Sequence, residues 1–194
     1  PVALAFSGGA DSYALMMWAL DSLRHPPILL HVHHGFGLGS DGARRHVERV
    51  ALTHGLELRV QNVEVFAGNR GLEAAARTAR YEALQAMVSE ETPIALGHGW
   101  DDWVESLWLR LLSGSSPLFW QGPALRHGSF VRPLLDQAQK VHRDRFPEAF
   151  ADPMNLDGRF QRVRLRQSGW LAKIDPEGEV AWAMHSVGTR VRRL

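Results

Sequence analysis

Short apolar runs that alternate with stretches of helical periodicity constrain this chain more than any other feature. Pro1–Phe6, Ile28–Val32, Leu56–Phe66 and Pro93–Gly97 read as strands. Between and after them, Tyr13–Leu23, a segment starting at Ser40-Asp41 and reaching Thr53, Leu72–Val88 and Asp101–Leu112 read as helices. Val104, Leu107, Leu111 and Leu112 are the expected apolar stripe of the last helix. Strands separated by helices can pair in parallel, because a parallel neighbour is reached only by a crossover. The predicted fold class is therefore α/β, an open doubly wound parallel sheet. Such a sheet binds ligands beyond the carboxyl ends of its strands. From Ser113 the pattern loosens into Gly, Ser and Pro through Pro123, and no later strand is legible. We divide the chain into residues 1–112 (nucleotide-binding sheet), 113–135 (a functional loop or linker) and 136–194 (a small, mainly helical, Arg-rich appendage).

Composition removes several function classes. The 194 residues contain no cysteine, which excludes disulfides, thiolate metal sites, iron–sulfur ligation and thiol catalysis by this stretch of chain. No apolar run approaches the roughly 18 residues of a membrane span, so no membrane partner is expected. The first residues are strand-like with no basic segment before them, so we expect no secretory signal and a cytoplasmic location. Charge is divided unevenly: residues 1–125 carry 9 basic and 13 acidic side chains, residues 126–194 carry 13 and 8. Of the 22 basic residues only Lys140 and Lys173 are lysine. Arginine offers a planar fork to phosphate, so a polyanionic partner for the second half is one reading. A solvated basic surface is the other.

The sharpest local signal is Ser7-Gly8-Gly9-Ala10-Asp11-Ser12, set between a strand and a helix. Backbone N–H groups of such a turn, with the helix N-terminus, form an anion site. Asp11 or Ser12 as an ordinary helix cap is the bland alternative. The loop lacks the Gly-Lys-Ser/Thr of a Walker A loop and the Gly-x-Gly-x-x-Gly of dinucleotide binders.

Ser-Gly-Gly-x-Asp-Ser resembles the pyrophosphate loop of the N-type ATP pyrophosphatases. Five further segments, in order, narrow the resemblance to the tRNA(Ile)-lysidine synthetase family. They are His31-Val-His33-His34-Gly35; the helix from Leu72-Glu to Arg77-Thr-Ala-Arg80-Tyr81; Gly97-His98 through Asp101-Asp102 to Glu105-Ser106; Arg132-Pro-Leu-Leu135; and Asp152-Pro-Met-Asn155 with Arg162-Val-Arg164-Leu-Arg166. The resemblance implies an adenine nucleotide alpha hydrolase-like fold and ATP with Mg²⁺. It also implies the joining of free L-lysine to C2 of cytidine 34 (C34) in tRNA(Ile), through an adenylated cytidine, releasing AMP and pyrophosphate. Under it, Ser7, Gly8, Gly9, Ala10, Asp11, Ser12, His33, Arg77 and Arg80 face ATP, and Asp11 meets Mg²⁺. Asp101, Asp102, Glu105 and Arg132 serve catalysis, while Asn155, Arg162, Arg164 and Arg166 meet the RNA or a departing phosphate.

Read without the family, the same residues keep alternatives. Asp101, Asp102 and Glu105 stand at helical spacings that share a face, suited to an ammonium, a cation or a proton. Asp102-x-x-Glu105 is also capping-box spacing. Arg77 and Arg80 share a helix face and could be solvated, as could Arg159, Arg162, Arg164 and Arg166. The three histidines at 31, 33 and 34 have no cysteine or carboxylate beside them in sequence and suit a nucleotide pocket better than a metal. Tryptophans 100, 103, 108 and 120 could stack an unpaired base, with core packing expected for Trp108. The chain departs from the family at Gly99 (a second His), Trp103 (Gln), Ser113 (Arg) and Val163 (Asn). These changes bear on substrate grip rather than on the loop, which leaves open a nucleotide- or RNA-binding module without turnover, or a different substrate.

Overall fold

A computed structural model describes residues 1–35, 38–65, 72–153, 158 and 161–191. Strands β1 (Ala3–Ala5), β2 (Ile28–His33), β3 (Leu58–Asn62) and β4 (Ile94–Leu96) alternate with helices α1 (Ala10–Ser22), α2 (Leu38–His54), α3 (Leu72–Ala86) and α4 (Trp100–Leu112). The α/β reading of residues 1–112 is thus observed. The expectation of no later strand is corrected. Strands β5 (Arg126–His127) and β6 (Phe130–Val131) form a hairpin that extends the sheet to the order β3-β2-β1-β4-β6-β5. All pairs are parallel except β5 with β6. Strands of two residues are too short to display a period of two, which is why the pattern hid them. Among the described residues the α-helices α5 (Gln139–Arg145), α6 (Gln161–Gln167), α7 (Trp170–Ile174) and α8 (Glu179–Val191) follow.

Successive residues of a strand face opposite ways, and both faces of this sheet are covered. Leu4, Phe6 and Leu29 pack with Leu15, Met16 and Val47 of α1 and α2 on one face. Ala3, Leu30, Ile94 and Leu96 pack with Leu84 of α3 on the other. Burial on both sides explains why the strands are apolar runs rather than alternating ones. A third cluster joins α4 to α6 and α8 through Trp103, Val104, Leu107, Trp108, Leu165, Ala181 and Met184. The predicted stripe of α4 is buried at Val104 and Leu107, whereas Leu112, its last residue, is exposed. Among the described residues no helix is long and apolar enough to cross a membrane.

Register places the site. Ala5 pairs with both Leu30 and Leu96, so β1 and β4 end level with one another while β2 runs on to His33. From β1 the chain builds β2 and β3 to one side and then places β4 on the other, and this reversal is the switch point where α/β sheets open a crevice. Residue 132 follows β6 at the same edge, since Ala95 pairs with Val131.

Candidate active site

The glycine loop leaves β1 and enters α1 at that switch point. Gly9 is the N-cap of α1 and no side chain caps the helix, so Asp11 and Ser12 are not the caps that one reading of the loop allowed. The first N–H groups, at Ala10, Asp11 and Ser12, therefore lie where no helical carbonyl precedes them, with the positive end of the dipole behind them. Ser12 Oγ donates to the Gly9 carbonyl at 2.8 Å and lies 3.3 Å from Ser7 Oγ, which draws the loop into a cup. Gly8 has φ +85°, and a Cβ there would stand 2.9 Å from His46 Cδ2. Both facts require glycine.

Asp11 points from the first turn of α1 to α5, where His142 Nδ1 lies 2.7 Å from its Oδ1. Burial raises the Asp11 carboxyl above its ordinary value, and nearby Asp102 adds to this, while the His142 hydrogen bond opposes both. Nothing in the sequence marked His142, which stands 131 residues from its partner. Among the described residues no group of three His, Cys, Asp or Glu could hold a metal on its own. An Mg²⁺ ion here would rely on Asp11 and the phosphates of a nucleotide, which is how Mg²⁺ is usually held.

Helix α4 carries the acids. Its N-cap is Gly99, whose N–H donates to Asp102 Oδ2 at 3.2 Å. The capping interaction thus runs from Gly99 to Asp102, and Glu105 is released from the cap that its spacing with Asp102 suggested. Gly99 is required by a close approach, for a Cβ would meet the Gln137 carbonyl oxygen at 2.7 Å. Asp101 turns away from the other two acids and accepts the Gln139 N–H at 2.5 Å. Asp102 and Glu105 are buried and together receive two arginines of α6. Arg166 reaches Asp102 Oδ1 at 2.9 Å and Glu105 Oε2 at 2.8 Å, with a further bond from its Nε to Glu105 Oε1. Arg162 stands 3.4 Å from Asp102 Oδ1 and 3.7 Å from Glu105 Oε2. Burial still raises the Glu105 carboxyl above its usual value despite Arg166. Arg164 donates to the Gly158 carbonyl at 2.8 Å and is exposed. Asn155 and Arg159 lie outside the described residues.

A second cationic group lies on the other side. Arg77 donates to the Tyr81 hydroxyl at 3.0 Å, and both Arg77 and Arg80 lie over the Tyr81 ring. Arg132, only 4% exposed, donates to the Ala124 carbonyl at 2.8 Å and reaches the Tyr81 hydroxyl at 3.3 Å. Buried Arg80 Nε, Arg132 Nε and His98 Nδ1 have no hydrogen-bond partner among the described residues. Burial lowers the Arg80 value, and burial with the surrounding arginines takes His98 down to about 2. His34 falls to about 4 for the same two reasons. Buried donors without acceptors are costly. Arg80 and Arg132 are among the charges that act on His98, so these unpartnered atoms lie in one cationic neighbourhood suited to an anion.

The remaining predicted residues have partners within the protein. His33 Nε2 lies 3.0 Å from Asp41 Oδ1 at the start of α2, beside the end of β2. His31 is buried and its Nδ1 lies 2.9 Å from the Phe6 carbonyl, tying β2 to the loop rather than lining a pocket. Trp108 Nε1 donates to buried Asp175 at 2.8 Å, as core packing predicts. Trp103 stacks on Trp100, with ring centroids 4.9 Å apart, and meets Trp182 and His185 of α8. The aromatic that replaces the family's glutamine therefore packs under α8, off the face that bears Asp102 and Glu105.

Comparison with known proteins agrees with this geometry. The tRNA(Ile)-lysidine synthase of Pseudomonas fluorescens is 36% identical over 175 residues, covering 84% of this chain and 39% of that protein. That of Rhodococcus erythropolis is 37% identical over 197 residues, covering 98% of this chain and 60% of the relative. The chain thus spans about two fifths to three fifths of the length of these relatives. The fold is shared with the U34-tRNA thiolase NcsA from Methanococcus maripaludis, solved with its 4Fe–4S cluster. The TM-score is 0.73 at 15% identity, over 98% of this chain and 70% of the other. The sequence profile of the PP-loop domain matches residues 1–170. On that match, which takes in the glycine loop, the acid helix and both arginine groups, the chain belongs to the PP-loop domain family.

Proposed function

We propose that this chain carries out ATP-driven ligation of free L-lysine to C2 of cytidine 34 in tRNA(Ile). The observation that carries the reading is the neighbourhood of Arg80, Arg132 and neutral His98, where each keeps one buried nitrogen without a partner, together with an uncapped glycine loop and a buried pair of acids. The lysidine synthases to which the chain is similar support the choice of substrates.

The loop N–H groups with Ser7 and Ser12 hold the triphosphate, and Asp11 would hold Mg²⁺, whose charge offsets that of the phosphates. Cytidine O2 attacks the α-phosphorus, and the bond to the bridging oxygen breaks so that pyrophosphate leaves. Arg80 and Arg132 stabilise that departing charge in a site of low dielectric, where fixed donors act most strongly. The lysine ε-amine then attacks C2, the C2–O2 bond breaks, and AMP leaves. Asp102 and Glu105 hold the ammonium, and the raised Glu105 carboxylate accepts the proton that the amine must lose. Arg162 and Arg166 now cover both carboxylates, so lysine binding exchanges part of a guanidinium contact for an ammonium.

Release of AMP from α-labelled ATP, with Mg²⁺, lysine and a tRNA(Ile) transcript bearing C34, tests the reading. Release that needs both lysine and C34, and is lost in Asp102→Ala, is the expected result. ATP binding without release under any combination of substrates overturns ligation and leaves a binding module.

A further inference from the structure

We infer that His142 is the positioning residue of Asp11, holding one carboxylate oxygen so that the other is presented to the cation bound with ATP. The inference rests on the proposed reading, in which Asp11 meets Mg²⁺, and assigns a residue outside every motif that the sequence offered.

The geometry begins with a strap. Residues 137–150 leave the acid helix and return to the glycine loop, fastened at both ends by backbone bonds. Trp100 N–H donates to the Gln137 carbonyl at 2.8 Å, and Phe150 N–H donates to the Gly8 carbonyl at 2.8 Å. Between these anchors α5 touches three acids in turn. Its first residue, Gln139, donates its N–H to Asp101 Oδ2 at 2.5 Å and brings its amide to 3.5 Å from Asp102 Oδ2. One turn later His142 reaches Asp11 Oδ1 at 2.7 Å. The His142 side chain is 6% exposed and the Asp11 side chain 25% exposed, so the bond faces the interior while part of the carboxylate stays open.

The choice of histidine has a physical reason. Nδ1 is the ring nitrogen nearer the backbone, and a rigid ring on a short stem fixes its direction better than lysine or arginine would. With the carboxylate ionised, Nδ1–H is the donor. Taking up Oδ1 fixes the second side-chain torsion of Asp11 and leaves Oδ2 as the acceptor for a cation. Partners of this kind, which orient a ligand without touching the metal, commonly govern metal affinity by about 10–100-fold. A purely structural role is the competing account, since α5 also packs on α1 through Tyr13 and Phe146, with ring centroids 5.5 Å apart.

Mn²⁺ binding in the presence of the non-hydrolysable analogue AMPCPP, read as loss of the free Mn²⁺ EPR signal, separates the two without any turnover. His142→Leu keeps the bulk and removes the donor; His142→Asn restores an N–H near the position of Nδ1. We expect His142→Leu to weaken Mn²⁺ about tenfold or more while metal-free AMPCPP affinity is unchanged, and His142→Asn to recover most of the loss at a similar melting temperature. Equal Mn²⁺ affinity in wild type and His142→Leu overturns the inference. So does a loss in both variants that tracks their melting temperatures, which is the structural role. If Asp11→Asn binds Mn²⁺·AMPCPP as the wild type does, or the wild type binds none, the parent reading of Asp11 fails and the inference falls with it.

Discussion

At the scale of single residues, the site is made by groups held away from their ordinary states. Gly8 combines a left-handed φ with a close approach to His46. Gly8→Ala is expected to cost about 1–3 kcal/mol from backbone strain and to lose nucleotide binding, measured together by thermal unfolding and ATP titration. His98 and His34 are held neutral, with values lowered to about 2 and about 4. The unfolded chain protonates both below 6.5, so it binds more protons than the folded chain under acid conditions. Their contribution is fully present above pH 6.5 and is lost as pH falls, through about 4 for His34 and further for His98. We expect each histidine to remove on the order of 1 kcal/mol per pH unit across its window. His98→Asn should lower stability at pH 7 but flatten its decline between pH 6 and 4. An unchanged slope in that variant would show that His98 already carries a proton in the folded protein.

At the scale of elements, α4 is held by different partners on its two sides. Asp102 and Glu105 meet α6 through Arg162 and Arg166, while Trp100 and Trp103 lie against α8 and the turn before it. Glu105→Gln leaves Arg166 facing a neutral amide in a largely buried site, where breaking one half of an ion pair costs about 3–5 kcal/mol. The arginine is one-third exposed, so we expect a loss nearer 2 kcal/mol, with Arg166→Met milder because both acids keep Arg162. A double-mutant cycle on the two residues measures the coupling. Trp103→Gln restores the family residue and should not improve catalysis. We expect faster amide exchange in α8, because the substitution removes an aromatic from the core that seats it. The alternation of strands and helices, the glycine loop and the acid helix were all legible, because each is a local pattern. The pairing of α6 with the acids was not, since an arginine run reads equally as a solvated face until the fold brings it to a partner. The hairpin at 126–131 was too short to carry a period, and His142 had no neighbour in sequence that suggested Asp11.

At the scale of the molecule, charge and fold together say where a polyanion would lie. The acidic side of the balance sits in residues 1–125 and the basic excess in 126–194. Counting arginines overstates the surface available to RNA, because Arg162 and Arg166 are already turned to Asp102 and Glu105. Helix α5 is different. It turns His142 inward to Asp11 and leaves Lys140, Arg143 and Arg145 exposed on the strap that joins the loop to the acids. Under the proposed reading, this exposed basic face next to the glycine loop is the surface that a tRNA backbone would meet. Replacing Arg143 and Arg145 together by alanine is therefore expected to weaken tRNA binding without changing the melting temperature or AMPCPP affinity. For every phosphate that the variant no longer neutralises, the slope of log K against log salt should fall by about 0.7–0.9. Arg162→Ala should do the reverse, lowering stability modestly, since both acids keep Arg166, while leaving the salt slope near that of the wild type. Titrating a C34 transcript against both variants at several salt concentrations separates the two roles. If Arg162→Ala rather than the α5 pair removes the salt dependence, the RNA crosses α6, and the acids are uncovered when it binds.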